Sequence, residues 1–175
     1  LLHGTLASLP DLMIEVRTKS ADRLVYETLA PMDQLTIAFS LLPESVRLRC
    51  ERRTPSLEAR LKAVDSALNH GFKVRFCFDP VLLLPFPEDP YESFFRRLLD
   101  RYSHRIIDVS YGFFRMPRTY FDRIARKMTD SPLFAGPFEV EQNAITYPGQ
   151  VREAIQARHL SIIGEYLDPG RIHVI

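Results

Sequence analysis

Four side chains fall where parallel α/β proteins place their chemistry: Lys19, Ser40, Asp79 and Arg115. Each closes a short apolar, β-branched or aromatic run, and in such folds the functional groups gather at the C-terminal ends of strands. Lys19 and Ser40 end successive runs. An ammonium and a hydroxyl meeting there can hold a carboxylate or a phosphate. The same spacing also suits a solvated strand end at Lys19 and a turn starter at Ser40. Asp79 precedes Pro80, so it reads either as an acceptor for a ligand or as an ordinary turn residue. Arg17 and Arg75 lie a little before their strand ends and share one side if the strands alternate. Buried guanidinium groups need acidic partners, and Glu15 is at hand. Arg17, Arg75, Asp79 and Arg115 are therefore expected to touch a substrate or to support the residues that do.

Other chemistries lack their signatures. The histidines, His3, His70, His104, His159 and His173, are dispersed, and none has zinc-motif spacing. There is no P-loop and no G-x-G-x-x-G. Cys77, between Phe76 and Phe78, reads as a small buried residue. Cys50, beside arginines, reads as a surface thiol or as one with a lowered pKa. Two cysteines make no disulfide framework, which makes a reducing cytoplasm the default compartment. The net charge of +1 provides no whole-molecule field for nucleic acid. A local patch remains available: Arg115, Arg118, Arg123, Arg126 and Lys127 interleave with Phe113, Phe114 and Tyr120, a pattern shared by solvated helix faces and nucleic-acid tracks.

The elements that must carry these residues can be read in order. Strands are expected over 13–19, 35–40, 73–79, 106–114 and 171–175. Helices are expected over 56–70, 91–102, 117–128 and 149–167, with a short one possible from 43 and a helix or loop over 20–33. Thr54 and Pro55 read as a cap and first helical position, and Gly71 as a left-handed stop. The segment 131–148 reads as irregular, with a short strand near 138–140. Few links look short enough for hairpins, so the alternation argues for parallel strands with helical crossovers. Such strands suit part of a barrel or a small open sheet. A hydrophobic content of 46% in 175 residues supports one globular domain. No apolar run approaches the ~18–20 residues of a membrane span. The chain starts at Leu1, without a signal peptide's pattern, and reads as beginning inside a larger protein. The first strand, 13–18, is then expected to expose an unpaired edge.

Several stretches taken together resemble the spore photoproduct lyase family of radical S-adenosylmethionine enzymes. They are Glu-Val-Arg-Thr-Lys-Ser at 15–20, Thr-Ile-Ala-Phe-Ser-Leu-Leu-Pro-Glu at 36–44, Thr-Pro-Ser-Leu-Glu-Ala-Arg-Leu at 54–61, Gly-Phe-Lys-Val-Arg-Phe-Cys-Phe-Asp-Pro at 71–80 and Asp-Ser-Pro-Leu-Phe-Ala-Gly-Pro-Phe at 130–138. They follow the family's order along most of the chain. The resemblance implies parallel β/α units forming part of an open, TIM-like partial barrel. It implies S-adenosylmethionine and an iron–sulfur cluster in the full-length protein, and a thymine dimer in DNA as substrate. Lys19 and Ser40 match the positions that hold the methionine part of the cofactor.

The family's C-x-x-x-C-x-x-C cluster loop is not in this sequence, and Cys50 and Cys77 do not match it. Residues 1–175 thus resemble the C-terminal portion of such an enzyme, completed by an upstream half of the barrel, and no cluster is expected on this chain alone. The other expectation is a non-catalytic α/β binding or interaction module built on the same half-barrel.

Overall fold

The computed structural model describes Gly4, Ser8, Leu9 and residues 11–175. Residues 1–3, 5–7 and 10 lie outside the described residues. Five parallel strands form the main sheet: β1 Ile14–Thr18, β2 Leu35–Ser40, β3 Lys73–Val81, β4 Asp108–Phe113 and β8 Ile172–Val174, in that spatial order. Strands consecutive in the sequence, from β1 to β4, are neighbours in space. The links between them carry the helices α1 Leu24–Thr28, α2 Glu44–Cys50, α3 Leu57–Asn69 and α4 Pro90–Tyr102. A longer helix, α6 Gly149–Gly164, leads to β8. The sheet is open, with β1 and β8 at its edges. This is the expected parallel β/α partial barrel.

Period-two alternation divides the sheet into two chemically different faces. Ile37, Phe39, Val74, Phe76, Phe78, Val109 and Tyr111 join one hydrophobic cluster with Val64, Phe95, Leu99, Tyr102 and Ile163 from the helices. The other face presents Arg17, Ser40, Arg75, Asp79 and Asp108. Burial of large aromatic side chains, each supplying ~150–250 Å², holds the helical layer down. Phe78 and Phe95, with ring centroids 4.9 Å apart, are at its centre.

Local signals explain most boundaries. Asp89 caps α4: its Oδ1 accepts from the Tyr91 N–H at 2.9 Å, with Pro90 in the first helical position. Gly71 takes φ +83° after α3, as a left-handed stop requires. The start of α3 differs from expectation. Ser56, not Thr54, is the cap, accepting from Ala59 N–H at 3.2 Å. The buried stripe of α3 is Leu57, Arg60, Ala63, Val64 and Ala67, so an arginine lies within it.

The larger departure is a second sheet. β5 Arg115–Pro117, β6 Glu139–Glu141 and β7 Ala144–Thr146 form a three-stranded antiparallel sheet in the order β5-β7-β6. A two-residue turn joins β6 to β7, with Gln142 at φ 48° and Asn143 at φ 66°. Both residues are left-handed, as a twisted hairpin turn demands. The segment read as irregular is therefore a hairpin. Arg115 is not the end of the fourth parallel strand, which stops at Phe113. α5, Arg118–Ala125, is shorter than expected and has no fully buried residue. α6 ends at Gly164, before the expected 167, and Val151 in its first turn is exposed.

Candidate functional site

The polar face of the main sheet is built in rows. Arg17, Ala38, Arg75 and Asp108 are register partners across β1 to β4. Ala38 leaves room between the two arginines. Asp108 accepts both Nε (2.5 Å) and Nη2 (2.7 Å) of Arg75, a bidentate pairing. Glu15 accepts from Arg75 Nη1 at 2.6 Å and from Arg17 Nη2 at 3.3 Å, so it bridges the two arginines. Arg17 Nη1 also donates to Asp79 Oδ2 at 2.7 Å. His173 on β8 lies 3.2 Å from Asp108. Glu15 is thus the acidic partner its position suggested. Asp79 lies within β3 rather than starting a turn, and its Oδ2 takes an arginine.

The next row towards the strand ends is Ser40, Cys77, Ser110 and His173. Lys19 follows Thr18, which pairs with Phe39, so the ladder brings Lys19 alongside Ser40. The structure thus places the two residues at the C-terminal ends of neighbouring strands. It also gives the Lys19 ammonium to Glu51, which sequence reasoning did not select. Glu51 follows α2 and is shared with Arg60, whose side chain is 1% exposed. Arg60 Nη1 donates to the Ser40 carbonyl at 3.0 Å. Burial alone would raise the Glu51 carboxyl, but Lys19 and Arg60 outweigh it and hold it below the usual carboxylate range.

The signal for Arg60 was present: it sits three residues after Leu57 and four before Val64, on the apolar stripe of its helix. Asp108, at the start of β4, carried no comparable cue.

The cysteines do not meet. Cys77 is buried, as read. Cys50 is half-buried, and burial pushes its thiol up to about 11, which overturns the lowered-pKa reading. Among the described residues no group of three His, Cys, Asp or Glu side chains is placed to hold a metal ion. The residues present therefore do not fit a cluster. They do fit a carboxylate ligand. An ammonium has three donors, and Lys19, with its side chain 42% exposed, keeps donors for solvent beyond the one Glu51 takes.

The basic segment lies on β5, α5 and the residues just after α5. Arg115, Arg118, Arg123, Arg126 and Lys127 are exposed. The Arg123 guanidinium lies over the Tyr120 ring, 4.9 Å from its centroid, and Arg118 is 4.0 Å from Asp122. Thr119, Asp122, Arg123, Arg126 and Lys127 line a surface depression of about 440 Å³.

Fold and site together define an open parallel β/α half-barrel with a charged inner face. Solved structures of spore photoproduct lyase share that fold. A cysteine-to-alanine variant with dinucleoside spore photoproduct matches with a TM-score of 0.72 at 17% identity, over 93% of this chain and 50% of that one. A double variant with bound AdoMet and dinucleoside spore photoproduct matches with a TM-score of 0.65 at 16% identity, over the same shares. A tyrosine-to-phenylalanine variant matches at 0.68 and 16%, again over those shares. The chain thus spans about half the length of the structures it matches, and its resemblance to that enzyme is shown at the level of fold. No protein-family model and no curated protein matches the sequence. No helix among the described residues is long and apolar enough to cross a membrane.

Proposed function

We propose that this chain is the C-terminal portion of a radical S-adenosylmethionine enzyme of the spore photoproduct lyase type, acting on a DNA lesion in the cytoplasm. One observation supports the reading: Lys19 and Ser40 fall at the C-terminal ends of neighbouring strands in a half-barrel whose fold is shared with a structure that holds AdoMet. Here Lys19 donates to the carboxylate of the cofactor's methionine part, and the Ser40 hydroxyl supplies a neutral hydrogen bond beside it. The cofactor, when bound, supplies radical hydrogen abstraction. The cluster this chemistry needs belongs to the upstream half of the barrel. The Arg17–Glu15–Arg75–Asp108 lattice keeps the floor of the site charged and fixed, and Arg115, Arg118, Arg123, Arg126 and Lys127 meet the nucleic-acid backbone.

Titration calorimetry of S-adenosylmethionine into the full-length, reconstituted protein tests this. Hydrogen bonds to charged groups contribute roughly 1.5–3 kcal/mol and neutral ones about 0.5–1.5. Lys19→Ala should therefore weaken binding more than Ser40→Ala, with circular dichroism of both variants unchanged. Parent-like affinity in Lys19→Ala would make Lys19 a solvated strand end.

A further inference from the structure

We propose that Glu51 is a positioning residue for Lys19, and that buried Arg60 sets both members of the candidate pair. This rests on the cofactor reading above. Arg60 has no solvent to satisfy it, so its donors are spent on protein. Nε donates to the Pro55 carbonyl at 3.2 Å, Nη1 to the Ser40 carbonyl at 3.0 Å, and Nη2 to Glu51. A buried guanidinium needs a charged partner, and Glu51 is the carboxylate within its reach. One side chain therefore grips the backbone of Ser40 and, through Glu51, the ammonium of Lys19.

Glu51 is itself fixed from three directions. Besides Arg60 and Lys19, the Thr54 hydroxyl donates to its Oε2 at 2.9 Å. Its side chain is only 9% exposed. Lysine carries its charge on a flexible four-carbon stem, and Glu51 is what holds that stem in one direction at the strand ends. The trio of Lys19, Glu51 and Arg60 keeps one net positive charge, the sign a ligand carboxylate requires. The arrangement orients the lysine without cancelling the site.

A double-mutant cycle on the full-length, reconstituted protein separates positioning from general support of the fold. S-adenosylmethionine binding is measured for the parent, Lys19→Ala, Glu51→Gln and the double variant. Glu51→Gln should weaken binding about ten-fold in the parent and have no further effect once Lys19 is alanine. Binding by Glu51→Gln as tight as or tighter than the parent's would overturn the proposal, as would an equal loss in both backgrounds. If Lys19→Ala itself binds normally, the cofactor reading fails instead, whatever Glu51 does. Glu51→Gln leaves Arg60 without its counter-charge, so Thr54→Val serves as a second variant that removes only the hydroxyl on Oε2. It should cost roughly two- to three-fold, again only while Lys19 is present. A loss of the same size in the Lys19→Ala background, or no loss in the parent, would contradict the proposal where Glu51→Gln does not fold.

Discussion

Asp89 shows how much one carboxylate can tie together. It caps α4 through Oδ1, while Oδ2 takes Arg158 Nη2 and lies 2.8 Å from His159 Nε2. His159 is fully buried, and its Nδ1 meets the Tyr111 hydroxyl at 2.8 Å. Strand β4, helix α4 and helix α6 therefore converge on this residue. Burial would raise the Asp89 carboxyl, but His159, the Tyr91 N–H and Arg158 hold it well below the usual range. A depressed native pKa stabilises the fold fully above the ordinary aspartate value of about 3.9, and the gain is lost as pH falls through the native value. Asp89→Asn keeps a capping side chain and removes the charge. It should cost about 2 kcal/mol at pH 7, and the gap to the parent should narrow as pH falls below about 4. Urea unfolding at a series of pH values measures this, and a gap independent of pH would contradict it. The sequence displayed the cap, since Asp-Pro-Tyr-Glu is a local pattern. Its partners at 158 and 159 lie far away in sequence, and no spacing reports a contact of that kind.

The elements divide in the same way. Strands β1 to β4 were legible as apolar runs of the right length, although β3 continues through Pro80 to Val81 and β4 is confined to Asp108–Phe113. The α3 boundary slipped by two residues because Thr54, Pro55 and Ser56 all suit a helix start. Thr54 is instead engaged with Glu51. The short strand expected near 138–140 is β6, but its pairing with β7 was missed because the turn is Gln-Asn rather than a glycine pair and each strand has three residues. Helix α5 falls within the expected 117–128 but is shorter, and none of its residues is fully buried. Arg123 on this helix and Arg126 and Lys127 just beyond its end are exposed. If these residues track a DNA backbone, each phosphate contact contributes about 0.9 to the slope of log affinity against log salt. Replacing all three by alanine should lower the slope by about 2–3 in duplex-DNA binding followed by fluorescence anisotropy. An unchanged slope would leave α5 as a solvated face.

At the scale of the molecule, both edges of the open sheet carry exposed apolar residues, including Val174 and Ile175 at β8. Among the described residues β1 pairs only with β2, and β8 lies at the far edge beside β4. Around β1, Met13, Val16, Leu24, Val25 and Leu29 are exposed, Met13 by 63%. An apolar edge strand is a template for association. The 175-residue chain alone should self-associate as its concentration rises, and Val16→Lys should suppress this, since an edge cation blocks strand pairing. Sedimentation velocity reads both. A parent that stays monomeric at high concentration would mark β1 as a finished edge. The polar face, by contrast, is already paired with itself: Glu15, Arg17, Arg75, Asp79 and Asp108 satisfy one another. The Lys19 side chain, 42% exposed, lies at the strand ends of this face, while Ser40 beyond Phe39 is buried.

The central claim is that Lys19 recognises the cofactor's carboxylate, and deleting that carboxylate from the ligand tests it most directly. Binding of S-adenosylmethionine and of its decarboxylated analogue is measured by calorimetry on the full-length, reconstituted protein and on its Lys19→Ala variant. The parent should prefer the intact cofactor by roughly ten- to a hundred-fold, the worth of a charge-assisted hydrogen bond. In Lys19→Ala that preference should fall to near unity, because the group that reads the carboxylate is gone. A preference of the same size in both proteins would mean that another residue binds the carboxylate, and that Lys19 does not.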